Sequence, residues 1–238
     1  MTQMTPKYRR VLLKLSGEAL AAGGDGLINQ EFVSDIAAVL KRCLAVGTQI
    51  GIIVGAGNIW RGRQGKNMDA TRADSMGMLA TAINAIALQD AFIQEGIDAH
   101  TMTAVSMPQF AEPFVRNEAI AYLEKGSVVI FGCGLGIPFL STDTAAVVRA
   151  AEIGADIVLM AKNIDAIYTA DPAKDPTAKR LETISCREIL EKKLSALDST
   201  ATAFCMDHHL PVLAFGLSDP ENIYRAVMGE KLGTVITD

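Results

Sequence analysis

Runs of consecutive apolar residues alternate with helical patterns along this 238-residue chain, and this alternation limits the fold more than any other feature. The runs are RVLLKL (10–15), QIGIIV (49–54), AHTMTAV (99–105), SVVIFG (127–132) and ADIVLM (155–160). Most are apolar at successive positions, which indicates strands covered on both faces. Between them, Asn29 is placed to cap a helix, and a long Met-, Ala- and Leu-rich helix is expected over about 73–95. The pattern predicts an α/β fold with a mostly parallel sheet between two layers of helices.

Composition narrows the class of protein. Half of the residues are apolar, which is enough for a large core in a single domain spanning 1–238. The net charge of −5 gives no reason to expect a nucleic acid or a membrane surface as partner. The four cysteines are far apart without a C-x-x-C pair, which favours reduced thiols. No signal peptide and no membrane span are predicted, so we expect a soluble cytoplasmic protein.

In such a sheet, ligands bind beyond the carboxyl ends of the strands, so the residues that follow each strand are the candidates for a site. Lys14 lies within the first apolar run, and Gly17 follows it. The lysine could point to solvent from a sheet edge, or it could supply charge to a phosphate that the backbone at Gly17 approaches. GAGNIWRG (55–62) follows the second strand, and its glycines and Arg61 indicate either an anion site or a solvated loop.

The segment GCGLGIPFLSTD (132–143) follows another strand and matches neither the dinucleotide fingerprint nor the P-loop pattern. Ser141 or Thr142 is placed to cap the next helix, with Asp143 in its first turn. The same segment could also bring glycine amides and two hydroxyls together on an anion. A helix cap and an anion site are compatible, since a helix N-terminus itself attracts anions.

The segment AKNIDAIYTADP (161–172) contains Lys162, a candidate phosphate clamp. Tyr168 and Asp171 there could hold a base and a ribose, or could belong to core packing and a turn. The triplet 207–209 (Asp-His-His) lacks spaced partners, so no metal site is predicted. Together the strand ends form a phosphate-binding surface without a nucleophile, which fits phosphoryl transfer.

Six motifs occur in order across nearly the whole chain: KLSGEAL (14–20), GAGNIWRG (55–62), DSMGMLAT (74–81), GIPFLSTDTAA (136–146), YTADPAKDP (168–176) and VMGEKLGTVI (227–236). Together they closely resemble the bacterial uridylate (UMP) kinases of the amino-acid kinase superfamily. The resemblance implies a three-layer αβα sandwich around a mostly parallel central sheet, assembled as a homohexamer. It also implies transfer of the ATP γ-phosphoryl to UMP with Mg²⁺, giving UDP for pyrimidine nucleotide biosynthesis.

The resemblance also implies roles for particular residues. An acceptor half would cover roughly 1–155 and an ATP half roughly 156–238. The catalytic set would be Lys14, Arg61 and Asp143, with the aspartate orienting the lysines. ATP contacts would come from Lys14, Leu15, Ser16, Gly17, Gly57, Arg61, Tyr168 and Asp171, and from Lys162 or Asn163. UMP contacts would come from Ala56, Asp74, Leu135, Gly136, Ile137, Pro138, Phe139, Leu140, Ser141 and Thr142.

The loop Gly23, Gly24, Asp25, Gly26 and Leu27 falls where the family is regulated by GTP as activator, and UTP is the expected inhibitor. This chain departs from the family pattern in three places. Lys162 followed by Asn163 stands where some members have threonine in the adenosine loop, so either residue could supply the ATP contact. Ala56 stands within the glycine triplet, so its methyl group must point away from UMP. Ile137 stands where many members have asparagine. Two alternatives remain: another kinase of the superfamily, or a non-catalytic nucleotide- or oxyanion-binding protein on the same fold.

Overall fold

The computed structural model describes residues 5–61, 65, 67–194 and 196–238. The strands within these ranges are β1 (Arg10–Leu15), β2 (Gln49–Val54), β3 (Ala99–Thr103), β4 (Glu112–Pro113), β5 (Val128–Gly132), β6 (Ile157–Lys162), β7 (Ile167–Tyr168), β8 (Arg180–Leu181), β9 (Thr183–Ser185), β10 (Val212–Gly216) and β11 (Thr234–Thr237). The helices are α1 (Gly17–Ala21), α2 (Gln30–Ala45), α3 (Ala70–Gln94), α4 (Arg116–Glu124), α5 (Thr142–Ile153), α6 (Cys186–Lys192), α7 (Ser199–His208) and α8 (Glu221–Val227).

Nine strands form one sheet in the order β4-β3-β5-β2-β1-β6-β10-β11-β9. Only the β10–β11 pair in this sheet is antiparallel. This confirms the predicted mostly parallel sheet. Strands from the predicted acceptor and ATP halves lie side by side, because β1 pairs with β6 as well as with β2. Residues 169–179 connect β7 and β8, a short antiparallel pair outside the main sheet.

Helices cover both faces of the sheet. On one face, α2, α3 and α8 pack against alternate strand residues such as Val11, Leu13 and Ile52. On the other face, α4, α5, α6 and α7 pack against the intervening positions such as Leu12 and Ile53. The three-layer αβα arrangement is therefore confirmed. This arrangement explains the continuously apolar runs, since the side chains on both faces of each central strand are buried.

Local signals set the ends of the helices. Asn29 accepts a hydrogen bond from Phe32 N at 3.2 Å, as a capping asparagine does, and α2 begins at the next residue. Gly154 ends α5 with a φ of +65°, a left-handed conformation that glycine adopts without strain.

Helix α3 starts three residues before the predicted segment, since Asp69 caps it through Arg72 N at 3.1 Å. Its mean hydropathy reaches 1.4 over 18 residues, which is enough for a membrane span by length and composition. The expectation that no segment approaches such a span was therefore wrong on composition. In the fold, Ala85, Leu88 and Phe92 of this helix pack in the core beneath the sheet, as in the core helix of a soluble protein.

Candidate functional site

The strands β1, β2, β5 and β6 run parallel and side by side, so their carboxyl ends meet at one edge of the sheet. All four strands named in the sequence analysis for their polar ends belong to this group. The predicted site residues at those ends therefore converge because of topology, although they are far apart in the sequence.

Lys14 forms an ion pair with Asp143, with Nζ 3.0 Å from Oδ1. Because side chains alternate along a strand, Lys14 lies on the same face as Leu12, toward α5, whose first turn contains Asp143. The lysine side chain is only 13% exposed, and β1 is a central strand. The alternative of a lysine pointing to solvent from a sheet edge is therefore wrong.

Lys162 ends β6, the strand beside β1, and is partly buried near the same pair. Its Nζ donates to the carbonyl oxygen of Ala196. Burial lowers the pKa of Lys162, and the positive charge of Lys14 acts in the same direction, whereas Asp143 and Asp198 oppose the shift. Two lysines and at least one carboxylate therefore share a small, partly desolvated volume at the edge of the sheet.

The loop after β1 touches the loop after β2 through glycines. A Cβ on Gly17 would lie 2.7 Å from both Gly55 O and Gly57 N, which no real side chain could tolerate. Gly55 N donates to Leu15 O at 2.9 Å and holds the two loops in register. We call Gly17, Gly55 and Gly57 the glycine cradle. The absence of side chains lets the two loops pack backbone against backbone at this edge of the sheet.

Arg61 pairs with Glu18 of α1. Gly57 lies beside the same carboxylate, since a Cβ on this glycine would be 3.1 Å from Glu18 Cγ. Glu18 is not among the residues predicted for the site from the sequence. Its carboxylate holds the arginine against the glycine cradle.

A cavity of about 290 Å³ opens between the GAGN loop, α3 and the loop after β5. Seven of the predicted UMP residues line it, namely Ala56, Asp74, Leu135, Ile137, Leu140, Ser141 and Thr142. Gly136, Pro138 and Phe139 are not among its lining residues. Gly57 and Arg61, expected at ATP, do line it, together with residues that the sequence analysis did not assign: Trp60, Gly77, Met78, Thr81, Cys133 and Gly134.

The loop after β5 is shaped by left-handed backbone positions. Gly134, Gly136 and Phe139 have φ values of +56°, +72° and +67°. Phe139 adopts this conformation with its N–H bonded to Asp74 Oδ2 at 2.8 Å, so α3 holds the loop from the side of the cavity. Asp74 therefore holds the loop after β5 in position, and its predicted contact with UMP stays a prediction.

Arg149 of α5 supports the same loop from beneath. This buried guanidinium donates to Gly134 O at 3.2 Å, pairs with Glu152 and stacks over the Phe114 ring. Arg149 could not be predicted from the sequence, since a lone arginine in a helix gives no signal of a buried contact.

Ser141 is the residue that caps α5, with Oγ accepting from Asp143 N at 3.0 Å and from Thr144 N at 3.1 Å. The Ser141 hydroxyl donates in turn to Asp198. Thr144 Oγ1 donates to the same carboxylate at 3.0 Å, and Asp198 also caps α7 through Ala201 N at 3.0 Å. Asp198 therefore fastens the start of α5 to the start of α7. Sequence reasoning missed it, although the pattern Asp-Ser-Thr before a helix could have indicated the cap.

A second cavity, of about 420 Å³, lies beyond the ends of β6 and β7. It is lined by Lys162, Tyr168 and Asp171, three of the residues for which ATP contacts are predicted, and Lys192 and Lys193 add positive charge. Asn163 is exposed and is not a lining residue. Of the two alternatives in the sequence analysis, Lys162 is thus the one that faces this cavity.

The loop 23–27 lies after α1, where Leu27 O accepts from Asn58 Nδ2 at 2.7 Å. Across the described ranges, no group of three or more His, Cys, Asp or Glu side chains could hold a metal ion. His208 ends α7 and His209 follows it, as expected of a helix end.

Comparisons with known proteins agree with this geometry. The profile of the amino acid kinase family matches residues 9–214, so the chain belongs to that family. The structure is similar to a UMP kinase from Bacillus anthracis, with 33% identity, a TM-score of 0.93 and coverage of 97% of this chain and 96% of that one. A UMP kinase from Ureaplasma parvum is 31% identical, with a TM-score of 0.92 and coverage of 98% and 100%. A uridylate kinase from Archaeoglobus fulgidus is 26% identical, with a TM-score of 0.75 and coverage of 95% and 99%.

Proposed function

We propose that this protein is a UMP kinase, which transfers the γ-phosphoryl group of ATP to UMP and gives UDP and ADP. The observation that supports this most is the position of the Lys14–Asp143 pair and of Lys162 at the strand ends between two cavities. The smaller cavity, with Asp74 and the loop after β5, would bind UMP. The larger one, with Tyr168 and Asp171, would bind the adenosine of ATP.

In this mechanism a UMP α-phosphate oxygen attacks the γ-phosphorus in line. UMP is already ionised near neutral pH, so no general base is needed, and the protein supplies position and charge. Lys14, held by Asp143, and Lys162 would offset the charge that develops on the transferred group. The N–H groups of the glycine cradle and Arg61 would hold the phosphates of ATP. Mg²⁺ would be supplied together with ATP and would neutralise part of the phosphate charge beside Lys14 and Lys162.

The division of the chain follows from the same proposal. The glycine cradle and the UMP cavity belong to the acceptor half, roughly 1–155, and the adenosine cavity belongs to the half at roughly 156–238. Because β1 and β6 are adjacent in one sheet, the two substrates would meet where the halves share a strand pair.

Self-association is part of the proposal. Leu79, Ile83, Ile86 and Ile93 recur at helical spacing on α3 and are each 38% exposed or more. An apolar stripe of this kind on a soluble protein is typical of an interface, and a second copy of the chain is the partner we propose for it, within a homohexamer. Activation by GTP through the loop 23–27, inhibition by UTP and a cytoplasmic location remain predictions from the family resemblance.

The direct test is a coupled assay for ADP and UDP with Mg·ATP and UMP. Parallel reactions contain CMP, or carbamate, acetylglutamate or aspartate as acceptor, and a further series adds GTP or UTP. We expect turnover with UMP well above that with any other acceptor. Turnover with one of the acids instead would identify a different kinase of the family. Nucleotide binding by folded protein without any transfer would favour the non-catalytic alternative.

A further inference from the structure

Two asparagines form a closed amide pair directly behind the glycine cradle. Asn58 Nδ2 donates to Asn84 Oδ1 at 3.0 Å, and Asn84 Nδ2 donates to Asn58 Oδ1 at 2.8 Å. Asn58 is the last residue of the GAGN motif, and Asn84 lies on α3. Neither residue has a role in the function proposed above.

Each asparagine has one further hydrogen bond, and these bonds lead to two different loops. Asn84 Nδ2 donates to Gly55 O at 2.8 Å, and Asn58 Nδ2 donates to Leu27 O at 2.7 Å. The pair therefore connects a carbonyl of the glycine cradle with a carbonyl of the loop 23–27. The side chain of Asn84 is completely buried, so its amide depends on these partners.

The network fixes the orientation of both amides. If the Asn84 amide were rotated by half a turn, its oxygen would face Gly55 O and Asn58 Oδ1, which are both acceptors. Asn58 also limits the space around the cradle, since a Cβ on Gly17 would lie 2.5 Å from Asn58 Oδ1. The pair thus fills the volume between the loops that follow β1 and β2.

From this geometry we propose that Asn58 and Asn84 are positioning residues that hold the glycine cradle in its phosphate-binding shape and couple it to the loop 23–27. The inference rests on the proposed function, because it assumes that the cradle binds ATP phosphates. Neither asparagine needs to touch a substrate. The Asn84 amide holds the Gly55 carbonyl by a hydrogen bond. Asn58 is bonded both to Leu27 O and to Asn84, so a shift of Leu27 would move the Asn84 amide.

The test compares Asn58→Ala, Asn84→Ala and a control, Gln89→Ala. Gln89 lies on the same helix as Asn84, and its amide likewise donates to a backbone carbonyl, Ala99 O, at 2.9 Å, away from the cradle. Hydrogen exchange is followed by mass spectrometry in peptides that cover 19–28 and 52–60. The dissociation constant for Mg·ATP is measured by calorimetry, and the KM values and kcat are measured in the coupled assay.

Asn58→Ala should speed exchange in both segments, because it removes the bond to Leu27 O and the two bonds that fix the Asn84 amide against Gly55 O. Asn84→Ala should speed exchange in 52–60 and leave 19–28 close to the wild type, because the bond from Asn58 to Leu27 remains. Both variants should bind Mg·ATP about tenfold more weakly, as expected for a lost hydrogen-bond network. In Mg·ATP binding, the double variant should be little weaker than either single variant, because the two residues act as a unit on the glycine cradle.

The proposal would be overturned if Asn58→Ala and Gln89→Ala had the same hydrogen exchange and the same affinity for Mg·ATP. If Asn84→Ala fails to fold because its site is buried, Asn58→Ala in the loop decides the matter alone. Exchange and ATP binding require no turnover. A wild-type protein that binds ATP but forms no UDP would therefore contradict the proposed function and leave this inference standing.

Discussion

Lys14 on a central strand and Asp143 in the first turn of α5 are 129 positions apart in the sequence, yet their side chains lie 3.0 Å apart. The pair lies at the edge of the sheet, next to Thr142 of the smaller cavity and near Lys162 of the larger one. Lys14→Ala should keep the fold but lower kcat by about 10²–10³, the usual loss when one preorganised charge donor is removed. Steady-state kinetics with Mg·ATP and UMP measure this, and a melting temperature checks the fold. A kcat within a few-fold of the wild type would contradict the role of Lys14.

Asp74 holds the loop after β5 through Phe139 N. Asp74→Ala should raise the KM for UMP about tenfold, because the loop loses a charge-assisted hydrogen bond that sets its position, and should change the KM for ATP much less. Initial rates with each substrate varied in turn give both constants. Equal changes in both KM values would argue against a specific role at the acceptor cavity.

Asp198 fastens α5 to α7, and two substitutions separate its roles. Asp198→Ala should lower the free energy of unfolding by about 2 kcal/mol, because it removes a helix cap and leaves the Ser141 and Thr144 hydroxyls without their acceptor. Asp198→Asn keeps a cap oxygen and should recover about half of that loss. Urea unfolding of both variants checks this. Equal stability of the alanine variant and the wild type would show that the carboxylate contributes nothing to the fold.

Two buried thiols should make the free energy of unfolding decrease as the pH rises above 9. Burial raises the pKa of Cys43 and of Cys205 from an ordinary value of 9.0 to about 12. The unfolded chain therefore loses these protons near pH 9, while the folded chain keeps them until about pH 12. The free energy of unfolding should fall over this window by about 1.4 kcal/mol per pH unit for each thiol, and these thiols should not change it below pH 9.

Urea unfolding near pH 8 and near pH 10 measures the effect. The variant Cys43→Ala/Cys205→Ala is the comparison, since it keeps all other titrating groups. Its stability should decline less between the two pH values than that of the wild type. An identical decline would mean that the folded thiols titrate as freely as the unfolded ones.

The exposed stripe of α3 gives a prediction about assembly. Ile83→Glu should lower the mass of the assembly in sedimentation velocity, because it places a charge in the centre of an apolar interface. Val115→Glu is the matched control, since Val115 is also an exposed apolar residue but lies before α4, away from the stripe. An unchanged mass for the Ile83 variant would place the interface elsewhere.

The class of fold could be predicted from the sequence because both signals that define it are local. Successive apolar positions in runs such as QIGIIV require strands buried on both faces, and capping residues such as Asn29 mark where helices begin. The glycines near the strand ends were also visible, since their conformational freedom is a property of the residue itself. The six ordered motifs further indicated the family to which the chain belongs.

The sequence by itself therefore determined the α/β class, the family and most residues at the strand ends. Only the tertiary structure decided which of these residues meet. The order of the strands places β1 beside β6, so that Lys14, Asp143 and Lys162 share one volume. The fold also makes Lys162, and not Asn163, a lining residue of the cavity beyond β6 and β7. Asp198, Arg149 and the Asn58–Asn84 pair gave no sequence signal of their partners. Their bonds join residues that are distant in the chain, and only packing of the elements brings such partners within reach.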